Sequence, residues 1–196
     1  LIYLNPIFEA YSNHKYDTGN YMKVDDMFGS DAAFEMLIKE AEKRGIDIIL
    51  DGVFNHCGAF HKWLDREGFY KDTKKGAYQE KKSPYHDYFY WKEDGSYEGW
   101  WGYENHPKLN EEGCKELNNE ILKIGKKWVS PPFNADGWRL DVAADLGKSS
   151  EFNHKFWAEF RNAVKGVSSD KLILAEHYGD AVSWLQGNEW DSIMNY

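Results

Sequence analysis

Cysteine and basic charge are scarce in this sequence, and each scarcity excludes a class of protein. Cys57 and Cys114 are the two cysteines, too few for a disulfide framework, and no metal-ligand spacing accompanies them. Both are predicted to be free, buried thiols. No apolar run approaches the ~18 residues of a membrane span, and no signal peptide is visible. With 24 basic against 33 acidic residues, the chain lacks the basic face that a nucleic-acid partner requires.

Aromatic residues are abundant instead, at 17% of the chain. With 42% hydrophobic and 29% charged residues, the composition is that of a globular domain rather than a disordered one. A globular core can use most of the aromatic rings, and composition alone favours that use. Aromatic faces also suit neutral sugars, because one face of a pyranose ring is largely C–H, so sugar binding stays open as a second use.

Apolar runs alternate with amphipathic segments, a pattern typical of a parallel α/β domain. The alternation predicts five parallel strands with helices between them, the strands covering residues 1–8, 46–50, 134–142, 171–175 and 191–196. One helix is predicted to begin after Ser30, a second to cover 111–128, and a third to begin at Ser149 or Ser150. Residues 57–107 break the rhythm and are too long for an ordinary loop. The predicted organisation is therefore a sheet domain in 1–56 and 108–196 with an insertion at 57–107.

Polar side chains stand at the C-terminal ends of three predicted strands. They are Asp51 with Asn55 and His56, Arg139 with Asp141, and Glu176. In a parallel barrel the C-terminal strand ends share one rim, where active sites form, so these side chains are expected to lie close together. Each also has a structural reading. Asp51 would hydrogen-bond a turn, the Asn55–His56 pair would be an ordinary loop, Arg139 and Asp141 would form a salt bridge, and Glu176 would cap a helix.

The functional reading gives the two carboxylates different environments. Asp141, beside Arg139, is expected to stay ionised and act as a nucleophile. Glu176 is expected to have a raised pKa and to donate a proton to a departing glycosidic oxygen. A pair separated by about 5–5.5 Å would give a retaining glycosidase.

Several motifs, taken in order, resemble the signature regions of the α-amylase family, glycoside hydrolase family 13. They are DGVFNH (51–56), GWRLDVAAD (137–145), LAEHYGD (174–180), NPIFEAYSNHKYDTGNY (5–21) and PKLN (107–110). The last two are similar to the neopullulanase, cyclomaltodextrinase and amylopullulanase branch. The resemblance covers essentially the whole chain. It implies a partial TIM (β/α)₈ barrel, about strands two to six, with the family's domain B as the insertion after strand three.

The resemblance also implies roles for individual residues. Asp141 corresponds to the nucleophile, Glu176 to the acid/base and Arg139 to the arginine that orients the nucleophile. The residues implied to bind sugar are His56, Tyr16 as an aromatic platform, and its neighbours Asp17 and His14. Asn55 occupies a position that binds calcium in many α-amylases, although no cofactor is required in this branch. The implied partner is an α-glucan such as starch, glycogen, pullulan or a cyclodextrin, cleaved at α-1,4 and in some cases α-1,6 bonds.

Two departures from the family pattern bear on these expectations. His177-Tyr178 follows Glu176 where many relatives have a tryptophan, which leaves acceptor specificity open. The family's third carboxylate has no counterpart up to Tyr196, so the first strand and the last two βα units are expected to lie outside these 196 residues, which alone should fold poorly and be inactive. A glucan transferase and a non-catalytic glucan-binding relative remain alternatives. A third is a metal-dependent hydrolase with His14, His56 and His61 as ligands, although these histidines lack a tight cluster on one strand. Oligomeric state and compartment are likewise left open.

Overall fold

The computed structural model describes residues 1–71 and 74–196, and residues 72 and 73 of the predicted insertion lie outside that description. Its centre is a five-stranded parallel sheet. The strands, in spatial order, are β1 (Ile2–Leu4), β4 (Ile48–Gly52), β5 (Gly137–Leu140), β6 (Leu172–Ala175) and β7 (Ser192–Ile193). Because strands adjacent in the sheet follow one another in the chain, this is the strand order of one arc of a (β/α)₈ barrel, as predicted.

Three α-helices connect the parallel strands. They are α1 (Asp31–Glu42), α2 (Lys115–Val129) and α3 (Ser150–Lys165). Ser30 and Ser149 cap α1 and α3 by accepting hydrogen bonds from the backbone N–H groups of Ala33 and Phe152, which confirms both predicted helix starts. Between β6 and β7 the chain forms turns and no helix, so the expected alternation fails there. Gly179 and Gly187 interrupt that segment, and Gly187 has a positive φ of 93°.

The N-terminal segment differs from its prediction. Residues 1–8 do not form one strand, because β1 ends at Leu4 and the chain turns at Asn5–Pro6. It then forms an antiparallel hairpin of β2 (Phe8–Ala10) and β3 (Thr18–Val24), where the sequence predicted only a polar loop. Tyr21 and Val24 on β3 are buried, which anchors the hairpin to the core.

Many of the aromatic rings belong to the hydrophobic core, part of which lies between the sheet and the helices. Phe8 contacts Trp128 of α2 at 4.9 Å between ring centroids, and Phe54 contacts Trp138 of β5 at 5.4 Å and Phe160 of α3 at 5.5 Å. The indole N–H groups of Trp128 and Trp138 donate to backbone carbonyls, so these rings are buried without an unpaired donor. Core packing, which composition favoured, therefore accounts for much of the aromatic content.

In the segment predicted as an insertion, the described residues form two short 3₁₀ turns, His86–Tyr88 and Trp100–Gly102. Isolated antiparallel bridges tie it together, among them Gly99 with Pro107 and His56 with Lys108. The last of these bridges brings the end of the segment back beside the loop that follows β4. Residues from this segment therefore lie above the C-terminal ends of the sheet strands. No described helix is long and apolar enough to cross a membrane.

Candidate active site

Arg139 on β5 is the centre of a buried charge cluster. Its side chain is 4% exposed. Its Nη1 donates to Asp51 Oδ2 at 2.9 Å and to Asp141 Oδ1 at 2.8 Å, and its Nη2 lies 3.0 Å from Glu176 Oε2. Three carboxyl groups from the ends of three neighbouring strands thus share a single guanidinium. The structure brings Asp141, Glu176 and Arg139 together, and it places Asp51 in the same cluster rather than in a turn.

Asp51 is the most deeply buried carboxyl of this cluster, with 1% exposure. It accepts hydrogen bonds from the Tyr3 hydroxyl and, at 3.2 Å, from the Tyr16 hydroxyl. The Arg139 guanidinium lies 5.5 Å from the centre of the Tyr3 ring, a cation–π contact. Side chains from β1, from β4 and from the loop before β3 therefore surround Arg139 or its partner Asp51. Together they hold the guanidinium in one position.

Val142, directly after Asp141, has an unusual backbone conformation. Its φ of 38° and ψ of 48° lie in the left-handed region, which is rare for a β-branched residue. In this conformation its backbone N–H donates to Glu176 Oε2 at 2.9 Å. Such strain clusters at functional sites, where the surrounding structure maintains it. Here the left-handed backbone of Val142 points its N–H at Glu176, which connects the residue after Asp141 directly to the second carboxylate.

The other oxygen of Glu176 is held by two tyrosines. Glu176 Oε1 accepts from the Tyr178 hydroxyl at 2.6 Å and from the Tyr196 hydroxyl at 3.0 Å. The two tyrosine rings lie against each other, with centroids 4.5 Å apart. Glu176 is thus surrounded by donors, since Arg139 and the Val142 N–H bind its second oxygen.

These contacts shift the pKa values of the two carboxyls in opposite directions, whereas the sequence predicted a raised pKa for Glu176. Burial, followed by the charge of Asp51, raises the pKa of Asp141 to about 8, although Arg139 opposes the shift. Burial also raises the pKa of Glu176, but the hydrogen bonds from Tyr178 and Val142 and the charge of Arg139 outweigh it and leave that pKa below its ordinary value. The sequence analysis expected the Arg139 guanidinium to stabilise the charge of Asp141 alone. In the structure Arg139 is shared, and Glu176 has more donors.

A cavity of about 240 Å³ opens directly above the two carboxylates. Four of the predicted residues line it: Tyr16, His56, Asp141 and Glu176. Five further residues complete the wall, namely Trp100, Trp101, His106, Val142 and Tyr178. Aromatic faces beside two carboxylates are suited to a sugar ring, which offers C–H faces and an edge of hydroxyls.

Asp17 and His14, which were predicted to bind the same sugar, line a separate cavity of about 350 Å³. The Asp17 carboxylate is turned away and accepts hydrogen bonds from the Ser12 backbone N–H, at 3.0 Å, and hydroxyl. His14 Nδ1 accepts from the Tyr16 N–H at 3.1 Å. Neither side chain lines the catalytic cavity, and both hold the loop that presents Tyr16, so sugar binding by Asp17 and His14 stays a prediction.

A buried polar chain supports His56. The Lys108 ammonium donates to Asn55 Oδ1 at 2.6 Å, which turns the amide nitrogen of Asn55 toward His56 Nδ1, 3.2 Å away. Because that nitrogen can only donate, His56 Nδ1 accepts and the ring hydrogen lies on Nε2. Burial, followed by the charges of His106 and Lys108, lowers the pKa of His56 to about 3, so the ring is neutral at physiological pH.

The calcium site predicted at Asn55 does not fit these contacts. Its amide oxygen already binds the Lys108 ammonium, and Lys108 Nζ also lies 3.5 Å from the buried carboxylate of Glu111. A fixed positive charge therefore occupies the place where calcium was expected. Across residues 1–71 and 74–196, no group of three His, Cys, Asp or Glu side chains is arranged to hold a metal ion. His14, His56 and His61 thus do not form the metal site of the alternative hydrolase.

Sequence reasoning missed several residues of this site. Tyr3 and Tyr196 lie on or beside edge strands that the sequence treated only as apolar runs. Lys108 lies in the PKLN motif, which was used to recognise the branch and not as a source of charge. Trp100 had no periodic signal, because its turn follows no helical or strand pattern. Tyr178 was noticed as a departure, and its contact with Glu176 depends on a turn that the sequence does not specify.

Comparison with known proteins places this geometry in a family. The model of the α-amylase catalytic domain matches residues 1–196. The amylopullulanase of Thermoanaerobacterium saccharolyticum is 43% identical over 215 residues, and the maltogenic α-amylase of Bacillus acidopullulyticus is 39% identical over 202 residues. Both alignments cover 100% of this chain. The solved cyclic α-maltosyl-(1→6)-maltose hydrolase of Arthrobacter globiformis, in complex with maltose, superposes with a TM-score of 0.83 at 36% identity, over 99% of this chain and 42% of that one.

The chain spans 16% of the length of that amylopullulanase and 32% of that maltogenic amylase. The family match nevertheless covers every residue of the chain, and the structural neighbours are barrel enzymes of the same family. The partial barrel and the family that the motifs indicated are both confirmed. The chain belongs to the α-amylase family of glycoside hydrolases, family 13.

Proposed function

We propose that the protein containing this chain cleaves α-glucosidic bonds of starch-like glucans with retention of configuration. One observation carries the proposal: Asp141 and Glu176 bind two different nitrogens of the same buried guanidinium, at 2.8 Å and 3.0 Å, on one wall of a cavity lined by aromatic rings. Two neighbouring carboxylates are what a double displacement at an anomeric carbon requires.

In the first step Asp141 attacks the anomeric carbon and Glu176 transfers its proton to the departing glycosidic oxygen, leaving a glycosyl ester on Asp141. In the second step Glu176 removes a proton from water, the water oxygen attacks the same carbon, and the ester bond to Asp141 breaks. Arg139 holds Asp141 in line for attack. Tyr16 packs against the sugar face, and neutral His56, which lines the same cavity, contacts the sugar.

For the first step the proton lies on Glu176 and Asp141 is ionised. The two carboxyls and Asp51 share Arg139, so their titration belongs to the cluster as a whole. A glycosidic oxygen that displaces the Tyr178 hydroxyl from Glu176 Oε1 removes one of the bonds that keep Glu176 ionised. Substrate binding thereby shifts the proton toward the residue that donates it.

The names of similar proteins support the substrate class. They include amylopullulanases, cyclomaltodextrinases and maltogenic amylases, and the solved Arthrobacter enzyme is named for a cyclic maltosyl-maltose. Those names cover starch-like polymers and cyclic oligosaccharides. We infer an α-glucan with 1,4 linkages as the substrate, with 1,6 linkages also cleaved.

Asp141→Asn in the full-length protein tests the nucleophile. Turnover of maltoheptaose should fall by at least about 10⁴-fold, because no carboxylate remains to form the ester, while calorimetry shows that the oligosaccharide still binds. Asp170→Asn, an exposed position in the turn before β6, is the matched control and should retain activity.

A second measurement identifies the attacking atom. A 5-fluoro-α-glucosyl fluoride should label one peptide, and mass spectrometry should locate the added sugar on Asp141. Near-normal turnover by Asp141→Asn, or a label on another residue, would overturn the assignment.

A further inference from the structure

Two stretches of irregular chain leave the sheet directly after the catalytic carboxyls. The nucleophile turn, residues 142–146, follows Asp141 at the end of β5. The acid/base segment, residues 177–190, follows Glu176 at the end of β6 and consists of turns. Val142 in the nucleophile turn donates its backbone N–H to Glu176 Oε2 at 2.9 Å. The relative position of the turn and the segment therefore affects how the two carboxyls face each other.

The side chain of Asn153, in the first turn of α3, is hydrogen-bonded to both stretches. It is buried, with 2% exposure. Its Nδ2 donates to two carbonyls of the nucleophile turn, that of Ala143 at 3.0 Å and that of Leu146 at 2.8 Å. Its Oδ1 accepts from the indole N–H of Trp184, in the acid/base segment, at 2.9 Å. Because carbonyls face the nitrogen and an N–H faces the oxygen, the amide has one favourable orientation.

Trp184 packs against the residue that follows Glu176. Its ring centroid lies 5.1 Å from that of His177, and it stacks on Trp190 at 4.8 Å with an interplanar angle of 6°. From α3, the ring of His154 lies 4.9 Å from the Trp184 ring. Trp184 therefore connects both the start and the end of the acid/base segment to α3.

The bonds that Asn153 makes have two separate consequences. A buried amide is costly unless its polar atoms are paired, and the bonds to the nucleophile turn satisfy buried carbonyls, which is a structural role. The bond to Trp184 adds a connection between two stretches of chain that each begin at a catalytic carboxyl. That connection depends on a single N–H···O contact, so it can be removed without emptying the core.

We propose that Asn153 is a positioning residue for the reaction, and that it sets the separation of Asp141 and Glu176 by coupling the nucleophile turn to the acid/base segment. The inference rests on the proposed function, because the two carboxyls act together in both steps. Retaining cleavage requires a separation of about 5–5.5 Å between them. A misplacement of about 1 Å can cost about 100-fold in rate, so a link that holds both stretches of chain matters for turnover.

The test removes the connecting hydrogen bond and keeps an aromatic ring in its place. Trp184→Phe in the full-length protein loses the N–H that binds Asn153. We expect kcat for maltoheptaose to fall about tenfold while KM changes less than about twofold, because the groups that bind the sugar, such as Tyr16, stay in place. Active sites are counted with the 5-fluoro-α-glucosyl fluoride label. A loss of folded protein then lowers the number of sites and leaves kcat per site unchanged.

Trp190→Phe is the matched control. Trp190 stacks on Trp184 in the same segment, and its Nε1 has no hydrogen-bond partner among the described residues. It is also more deeply buried, with 1% exposure, so a general packing effect would be larger in the control. Its kcat per site should stay within about twofold of the wild type. A loss in Trp190→Phe equal to that in Trp184→Phe would overturn the proposal.

A double-mutant cycle with Asn153→Ser locates the effect. Asn153→Ser and Trp184→Phe remove the same contact, so their losses in kcat per site should not add in the double variant. Fully additive losses would show that the two side chains act independently, which contradicts the coupling.

Hydrogen exchange tests the coupling without turnover. The backbone amides of the nucleophile turn, including that of Val142, should exchange faster in Trp184→Phe than in the wild type, and Trp190→Phe should leave them unchanged. Equal exchange in all three proteins would overturn the proposal. If the wild type does not cleave maltoheptaose but the exchange difference is present, the proposed function fails while the coupling between the two stretches of chain is supported.

Discussion

Glu111 gives the sharpest quantitative prediction. Its carboxyl is fully buried and lies 3.5 Å from Lys108 Nζ, and its Oε1 has no hydrogen-bond partner among the described residues. Burial raises its pKa from 4.5 to about 7, with the charge of Lys108 opposing the shift. An acid with a raised pKa in the folded state makes no difference to stability below about pH 4.5, where it is neutral in both states. As the pH rises toward 7, the unfolded chain releases the proton first and stability falls.

The expected loss of stability follows from the difference between the two pKa values of Glu111. The gap between 4.5 and about 7 corresponds to about 3 kcal/mol, at roughly 1.4 kcal/mol per pH unit. Glu111→Gln cannot titrate. Between pH 4.5 and 8.5, the free energy of unfolding of the wild type should therefore fall by about 3 kcal/mol more than that of the variant.

Urea denaturation of the full-length protein, followed by tryptophan fluorescence at several pH values, measures this difference. Glu104→Gln, at an exposed position, is the control and should titrate in parallel with the wild type. Parallel curves for wild type and Glu111→Gln would refute the reasoning, because they would mean that Glu111 keeps the same affinity for protons when the protein unfolds.

The remaining predictions concern Lys108, calcium and Tyr178. Lys108→Met leaves Glu111 without its counter-charge and Asn55 without its donor, and should lower stability by about 3–5 kcal/mol, measured by urea denaturation. EDTA should leave the Tm unchanged, since an ammonium already occupies the Asn55 oxygen; a drop restored by calcium would contradict this. Tyr178→Phe removes a donor that favours ionised Glu176, so its pKa rises and the alkaline limb of the kcat/KM profile should move to higher pH. An unmoved limb, as expected for the control Tyr78→Phe, would exclude that role.

The sequence predicted the sheet better than it predicted the site's chemistry. Strands such as 171–175 are short apolar runs bounded by polar residues, and helix starts such as Ser30 have local capping signals, so both could be read from neighbouring residues. The hairpin of β2 and β3 could not, because polar residues and a glycine interrupt its apolar ones, and burial depends on distant contacts such as that between the Tyr21 hydroxyl and the Val53 carbonyl.

The site residues could be located by their place at strand ends, but their protonation could not. The order of the Asp141 and Glu176 pKa values depends on how many donors reach each carboxyl, and most of the donors to Glu176 come from elsewhere in the chain, including Val142 and Tyr196. The predicted calcium site at Asn55 does not fit the structure for a similar reason. Lys108 is 53 residues away in the sequence, and only the folded segment brings its ammonium to the amide.

The pairing of β4 with β5 sets Asp51 directly opposite Arg139. Side chains alternate between the two faces of a strand, so a slip of a single residue in β5 would turn Arg139 and Asp141 to the other side of the sheet and leave Asp51 and Glu176 without their counter-charge. A barrel in which β4 and β5 paired out of register would thus be inactive as well as unstable. Enzymatic activity therefore indicates that these strands are correctly aligned. Insertions within these strands are therefore excluded, whereas turns outside the sheet can change in length without moving these charges.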